Sequence, residues 1–233
     1  MEAQYRRINV LANNAANVNS PGYKSSDLSF SDFGQELVRR IDENGSPEVG
    51  TLSDYTGLSA ENTDFSAGSY EQTGVSTDFA IDGEGFFAVQ DAGGAAKYTR
   101  AGDFSVDTGG YLALPTGERL LGENGQPLHV GTDKITVAGD GTVTTAAGTA
   151  GKIALYTAPK GSVTRRDDGF FGLAGAVQAG GVLRQGWVED SNTDVVGNMT
   201  GMMAATRSFQ GCQQAFEISD DTYDKTVQLG SLK

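Results

Sequence analysis

Apolar and polar positions alternate along this chain with two different periods, and the change of period divides it. Over residues 3–18, Ile8, Leu11, Ala12 and Ala15 fall at i, i+3, i+4 and i+7, the stripe of a 3.6-residue period, which predicts a short amphipathic helix. Alone in water a helix this short is marginal, so it needs a partner. Its end is written in the stretch LANNAANVNSPGYK, residues 11–24, where Asn13, Asn14, Asn17 and Asn19 put four asparagines into seven positions before Pro21-Gly22-Tyr23. Asparagine competes for nearby backbone groups and favours caps and turns over helix interior. Pro21 disfavours helical geometry at Ser20, and Gly22 permits a turn.

Residues 25–74 are polar with scattered apolar positions, including SFSDFGQELVRRIDENG, and read as an extended arm or irregular loop. From 75 to 187 the texture becomes short runs of period-two alternation beside Asp-Gly and Gly-Gly pairs, as in DFAIDGEGFFAVQD, KYTRAGDFSVDTGGYLAL, KITVAGDGTVTT and GKIALYTA. That pattern predicts hairpins and a β-rich domain.

The last segment returns to helical spacing: Val195, Met199, Met202, Thr206, Phe209, Gln213, Phe216, Asp220, Tyr223 and Val227 follow a 4-3-4-3 repeat, the heptad of a coiled-coil seam. A helix of about 35 residues spans on the order of 50 Å. Thr206, Gln213 and Asp220 occupy positions where an isolated coiled coil carries Leu or Ile, so this helix also needs something packed on it. The expected fold is therefore mixed α and β. A β-rich central domain (75–187) is flanked by an N-terminal helix with its Asn-rich turn (1–24), the arm (25–74) and a C-terminal helix (188–233), the two helices pairing into an α-helical coiled-coil stalk.

Composition narrows the function. The 233 residues include 33 Gly and 5 Pro, and the formal charge is −13, which argues against a nucleic-acid binder or an anionic-membrane binder. The Arg-Arg pairs at 6–7, 39–40 and 165–166 are too small for a basic patch and read as solvated surface. The single Cys212 excludes an internal disulfide and any multi-cysteine metal site. No apolar run reaches the roughly 18 residues of a membrane span, and the start MEAQYRRINV lacks the apolar core of a secretory signal. The lone His129 forms no zinc cluster, and Gly83-Glu84-Gly85 lacks the third glycine of a dinucleotide fingerprint. The acidic turns at 103–110 and 139–143 miss calcium-loop spacing. Chemistry has no visible home here: no catalytic, cofactor or metal residue is nominated.

LANNAANVNSPGYK resembles the N-terminal signature of the rod and hook family of bacterial flagellar axial proteins. TDFAIDGEGFFAVQD followed by YTRAGDFSVDTGGYL is similar to its central block. LRQGWVEDSNTDVVGNMTGMMAATRSFQ is similar to its C-terminal block, in which Gly186-x-x-Glu189-x-Ser191-Asn192 opens the long helix. The resemblance implies a structural rod subunit, without cofactor, exported uncleaved through the flagellar type III apparatus to the basal body beyond the inner membrane. Its partners would be copies of itself and other rod proteins, and it would assemble into a helical tube that transmits torque. The size resembles the proximal and distal rod proteins, with the final run SDDTYDKTVQLGSLK pointing to the proximal type. Family members differ in carrying a larger aliphatic at the position of Ala15 and further residues ahead of the position of Met1. The assembly motif implied is Asn13, Asn14, Asn17, Asn19, Pro21, Gly22 and Tyr23. The axial seam is Ile8 and Leu11 against Val195, Met199, Met202, Phe209, Phe216 and Tyr223. The competing readings are a secreted β-rich adhesin or carbohydrate-binding module working through the turns of 75–187, and a hydrolase built on paired carboxylates.

Overall fold

In the computed structural model of the protein, residues 2–39, 48–159, 161–166 and 169–230 are described. Residues 40–47 of the expected arm, the second arginine of the 39–40 pair and the end of the expected C-terminal helix at 231–233 lie outside them. The chain forms two compact units: one of residues 1–16, 26–64 and 194–233, and one of residues 17–25 and 65–193.

The first unit contains both helices, α1 (Glu2–Ala16) and α2 (Val195–Gly230). Asp194 caps α2, its carboxylate accepting the Val196 amide at 3.1 Å and satisfying one of the donors a helix start leaves open. The helices pack on each other with a glycine at the approach: a Cβ on Gly201 would lie 3.3 Å from Leu11 Cδ1. The threonine within the expected seam is accommodated by the helix itself. Thr206 Oγ1 donates to the Met202 carbonyl at 2.8 Å, as Thr200, Thr222 and Thr226 do to theirs, so these hydroxyls need no partner from outside.

Most of the described part of the polar arm is regular, and residues 64–69 remain without regular structure. Its strands β1 (Ser26–Arg39) and β2 (Glu48–Thr63) run antiparallel in register from Ser26 opposite Thr63 to Arg39 opposite Glu48, with a bulge after Ser29 and another after Val38. A long two-stranded ribbon makes its backbone hydrogen bonds between its own strands, which requires no apolar alternation that the sequence could display.

The second unit is β-rich. At its centre the strand Phe86–Gln90 pairs along one edge with Ala96–Thr99 and along the other with Leu155–Thr157 and Arg119–Leu120. Phe79, Ile81, Phe87, Val89, Leu112, Leu120 and Val143 make the heart of the apolar core, with Phe87 set edge-on to Phe104 at 5.4 Å, a favourable quadrupolar arrangement. Two short pairings close the unit: Val182–Gln185 with Phe79–Asp82, and Trp187–Glu189 with Tyr70–Gln72. The glycine-rich turns are built on aspartates. Asp107 Oδ1 accepts the amides of Gly109 and Tyr111 at 2.7 and 2.9 Å, and Asp91 does the same for Gly93 and Ala95. These amide bonds hold both carboxyls below the usual carboxylate range.

Candidate assembly site

In the helical unit the expected seam divides in two. On α2, Val195, Met202 and Phe209 are half-buried and Ala205 is buried, whereas Met199, Phe216 and Tyr223 are exposed. The covered face runs through Asn198, Met202, Ala205, Phe209 and Cys212, keeping the 4-3 spacing but turned by about one position from Met199 and Gln213. An α-helix drifts by about 20° per heptad against a strict seven-residue repeat, so one straight face cannot keep the whole written repeat. Cover ends at Cys212, and every described residue from Gln213 to Val227 is exposed. At 1.5 Å per residue, the 15 residues of α1 run ~22 Å against ~54 Å for the 36 of α2. On α1, Ile8 and Leu11 are half-buried as the stripe predicts, but Ala12 is exposed and Asn14 is the buried position.

Asn14 shows what one of the clustered amides does. Its Oδ1 accepts the Ser26 amide at 3.1 Å and its Nδ2 donates to the Ser26 carbonyl at 2.7 Å. The side chain thereby pairs with the first residue of β1 as a neighbouring strand would, and fixes where the ribbon begins.

The rest of the motif belongs to the β unit. α1 stops at Ala16, and the turn that follows is closed by Ser20 N to Asn17 O and Tyr23 N to Ser20 O, both 3.2 Å. Pro21 in second place and Gly22 in third, with φ +67°, are the residues a type II turn requires. Gly22 is also the point of closest approach: its amide donates to the Glu189 carbonyl at 2.6 Å, and a Cβ here would stand 2.2 Å from the Arg100 carbonyl carbon. Asn17, Pro21 and Tyr23 are half-buried, while Asn13 and Asn19 are exposed.

Beside this turn lies a group of residues that the sequence does not bring together. Lys24 and Glu189 are each 1 % exposed and Arg100 is 7 % exposed. Lys24 Nζ donates to Glu189 Oε1 at 2.5 Å and to the Ser66 carbonyl at 2.7 Å. Arg100 donates to Glu189 Oε2 at 3.1 Å and to the Gly83 carbonyl at 2.7 Å, and the Gly68 amide completes Glu189 at 3.1 Å. Asn192 ties the neighbouring backbone, accepting the Ser25 amide at 2.8 Å and donating to the Ser66 carbonyl at 3.2 Å. Arg165, read as solvated charge, lies over the Tyr23 ring at 4.6 Å and donates to the Lys24 carbonyl at 3.1 Å. Burial lifts the Tyr70 hydroxyl's pKa, and the Glu189 charge adds to the rise; that hydroxyl donates to the Ile81 carbonyl at 3.0 Å. The one signal for this cluster is that Lys24, Arg100, Glu189 and Asn192 all sit inside the stretches that carry the family resemblance.

Among the described residues, no group of three or more His, Cys, Asp or Glu could hold a metal ion, and no helix is long and apolar enough to cross a membrane. His129 stacks edge-on to Tyr111 at 5.0 Å, and Cys212 is half-buried on α2. A polar hollow of about 280 Å³ is lined by Glu123, Asp140, Lys152 and Gln178, but Glu123 is already engaged by Lys152 and Gln178.

Three stretches of the chain match known families. Residues 1–24 match the flagella basal body rod protein family, 80–145 the flagellar hook protein FlgE/F/G D1 domain, and 184–229 the flagellar basal body rod FlgEFG protein C-terminal region. The chain is 32 % identical to the flagellar basal-body rod protein FlgG of Bacillus subtilis, over 96 % of this chain and 93 % of that one. It is 30 % identical to the rod protein FlgF of Escherichia coli, over 96 % and 92 %. To the hook-basal body complex protein FlhO of Bacillus subtilis it is 32 % identical, over 100 % and 96 %. Nothing in these matches supports the adhesin or carbohydrate-module reading: the chain belongs to the flagellar basal-body rod and hook protein family.

Proposed function

We propose that the chain, a structural subunit of the flagellar basal-body rod, assembles through its terminal helices with copies of itself and other rod proteins into a helical tube that transmits torque. It works mechanically, without catalysis or a cofactor, and reaches the basal body through the flagellar type III export apparatus. One observation carries the reading: α2 leaves Met199, Met203, Phe216, Ile218, Tyr223 and Val227 exposed, Phe216 at 60 % and Tyr223 at 71 %. A long helix with large apolar side chains in water is incomplete until a partner covers them. A head-to-tail contact that does not close on itself generates a helical filament. Axial helices packed side by side along that filament would resist twisting, which is what a shaft requires.

The test is the double substitution Phe216→Asp and Tyr223→Asp in the full chain. Both residues are exposed, so the monomer keeps its circular dichroism spectrum and urea midpoint. Self-association, followed by light scattering and electron microscopy, is lost, and swimming is not restored in a strain lacking the gene. A double variant that swims like the wild type would overturn the assignment.

A further inference from the structure

We propose that residues 17–25 are held on the β unit by a releasable charged latch, made by Lys24, Glu189 and Arg100, which opens while the apolar core stays folded. The inference concerns the β unit alone and does not depend on the assembly reading.

The segment adds nothing to the apolar core, whose members all lie between Phe79 and Leu183. What holds it is polar: Gly22 N to Glu189 O, Ser25 N to Asn192 Oδ1, Asn192 N to Tyr23 O, Arg165 to the Lys24 carbonyl, and the Lys24 ammonium on Glu189. Glu189 is the carboxylate that both buried cations share. An ion cluster of this kind has an unusual energy profile. Desolvation offsets most of the attraction between its charges, so lifting Lys24 away with the segment, which lets water reach Glu189 and Arg100 where they stand on the β unit, costs far less than the short contacts suggest. Removing one partner while the others stay buried is severe. A core built of Phe and Leu has no such exit, because its side chains gain nothing from water. The cluster closes the segment in one geometry and leaves it free to detach alone.

The measurement is native-state amide hydrogen exchange on the full chain at increasing urea. The latch amides are Gly22, Ser25 and Gly68, whose acceptors are Glu189 O, Asn192 Oδ1 and Glu189 Oε1. The core amides are Leu121 and Leu128, bonded to Ala88 O and Leu120 O. In the wild type the latch amides exchange by a local opening with little urea dependence, and the core amides only through global unfolding. Glu189→Gln turns an amide nitrogen toward one of the cations and accelerates the latch amides at least about a hundredfold, leaving the core amides unchanged. Combining Lys24→Met, Arg100→Met and Glu189→Met replaces the cluster with apolar groups and returns the latch to wild-type protection or better. Latch and core amides that share one rate and one urea dependence in the wild type would overturn the proposal, and that comparison decides even if Glu189→Gln does not fold. So would a Glu189→Gln chain with undisturbed latch amides.

Discussion

Asn14→Asp alters one atom of a buried contact, and its cost depends on pH in a direction the structure fixes. Asn14 is 3 % exposed and uses both ends of its amide on Ser26. Aspartate keeps the acceptor for the Ser26 amide and replaces the donor, 2.7 Å from the Ser26 carbonyl, with a carboxylate oxygen. A buried carbonyl left unsatisfied costs about 1–3 kcal/mol. Adding a desolvated charge pressed against a carbonyl dipole brings the total to about 3–5 kcal/mol at neutral pH. Protonation restores a donor. The folded-state pKa of Asp at position 14 is thus raised above the unfolded value of about 3.9: the penalty is absent below that value, grows above it and is complete above the folded-state pKa. Asn14→Ala loses both hydrogen bonds at every pH and costs about 2 kcal/mol or more throughout. Urea unfolding followed by far-ultraviolet circular dichroism, with exchange of the Ser26 amide as the local reporter, separates the two variants. Asp at 14 should match the wild type at acid pH and fall below it at neutral pH, while Ala should track the wild type at a constant offset. Parallel pH profiles for the two variants would refute the pairing of Asn14 with Ser26.

Two further predictions concern the β unit. Gly22→Ala and Gly74→Ala place a side chain at nearly the same positive φ, +67° and +70°, but Gly22 faces the Arg100 backbone and Gly74 meets nothing within 4 Å. Gly74→Ala should cost only the conformational ~1–2 kcal/mol, whereas Gly22→Ala should also strip protection from the Ser25 amide; equal protection there in both variants would sink the close-approach argument. Asp103, raised by burial first and by the charge of Asp78 second, is destabilised as an anion in the folded state. Asp103→Asn should therefore raise the urea midpoint at neutral pH, with the gain fading as pH falls through the raised folded-state value and gone below the unfolded carboxylate value, and a gain of equal size at acid pH would refute it.

What was legible in the sequence follows from how far each interaction reaches along the chain. The stripe Ile8–Leu11 and the Asn-Pro-Gly stop are local, and α1 and its turn stand where those residues put them. Asp107 and Asp91 act on amides within four residues, so their turns could be read from DTGGY and DAGGA. The face of α2 was legible as a period but not as an orientation, because a seven-residue repeat does not say which side α1 covers. The strands β1 and β2 carry polar sequence, and their pairing is a backbone property. Lys24, Arg100 and Glu189 were the least legible: a charged residue is by default at the surface, and the partners here lie 89 and 165 positions apart.

The same distance suggests why charge stands where an apolar contact would hold more simply. An apolar plug at residues 17–25 would be sticky each time it came loose, and this chain already carries exposed apolar side chains along α2. Released, Asn-Ser-Pro-Gly-Tyr-Lys offers water an amide, two hydroxyls and an ammonium, with the Tyr23 ring its one large apolar surface, and a short loop of that kind gives a wrong partner less to hold than an apolar plug would. Docked, the segment must satisfy Gly22, Lys24, Ser25 and Asn192 together, and a register slip of one residue would bury Lys24 without Glu189. A polar clasp is therefore weak toward water and strict toward misalignment. That combination suits a segment that docks in one position and offers little to other surfaces when released.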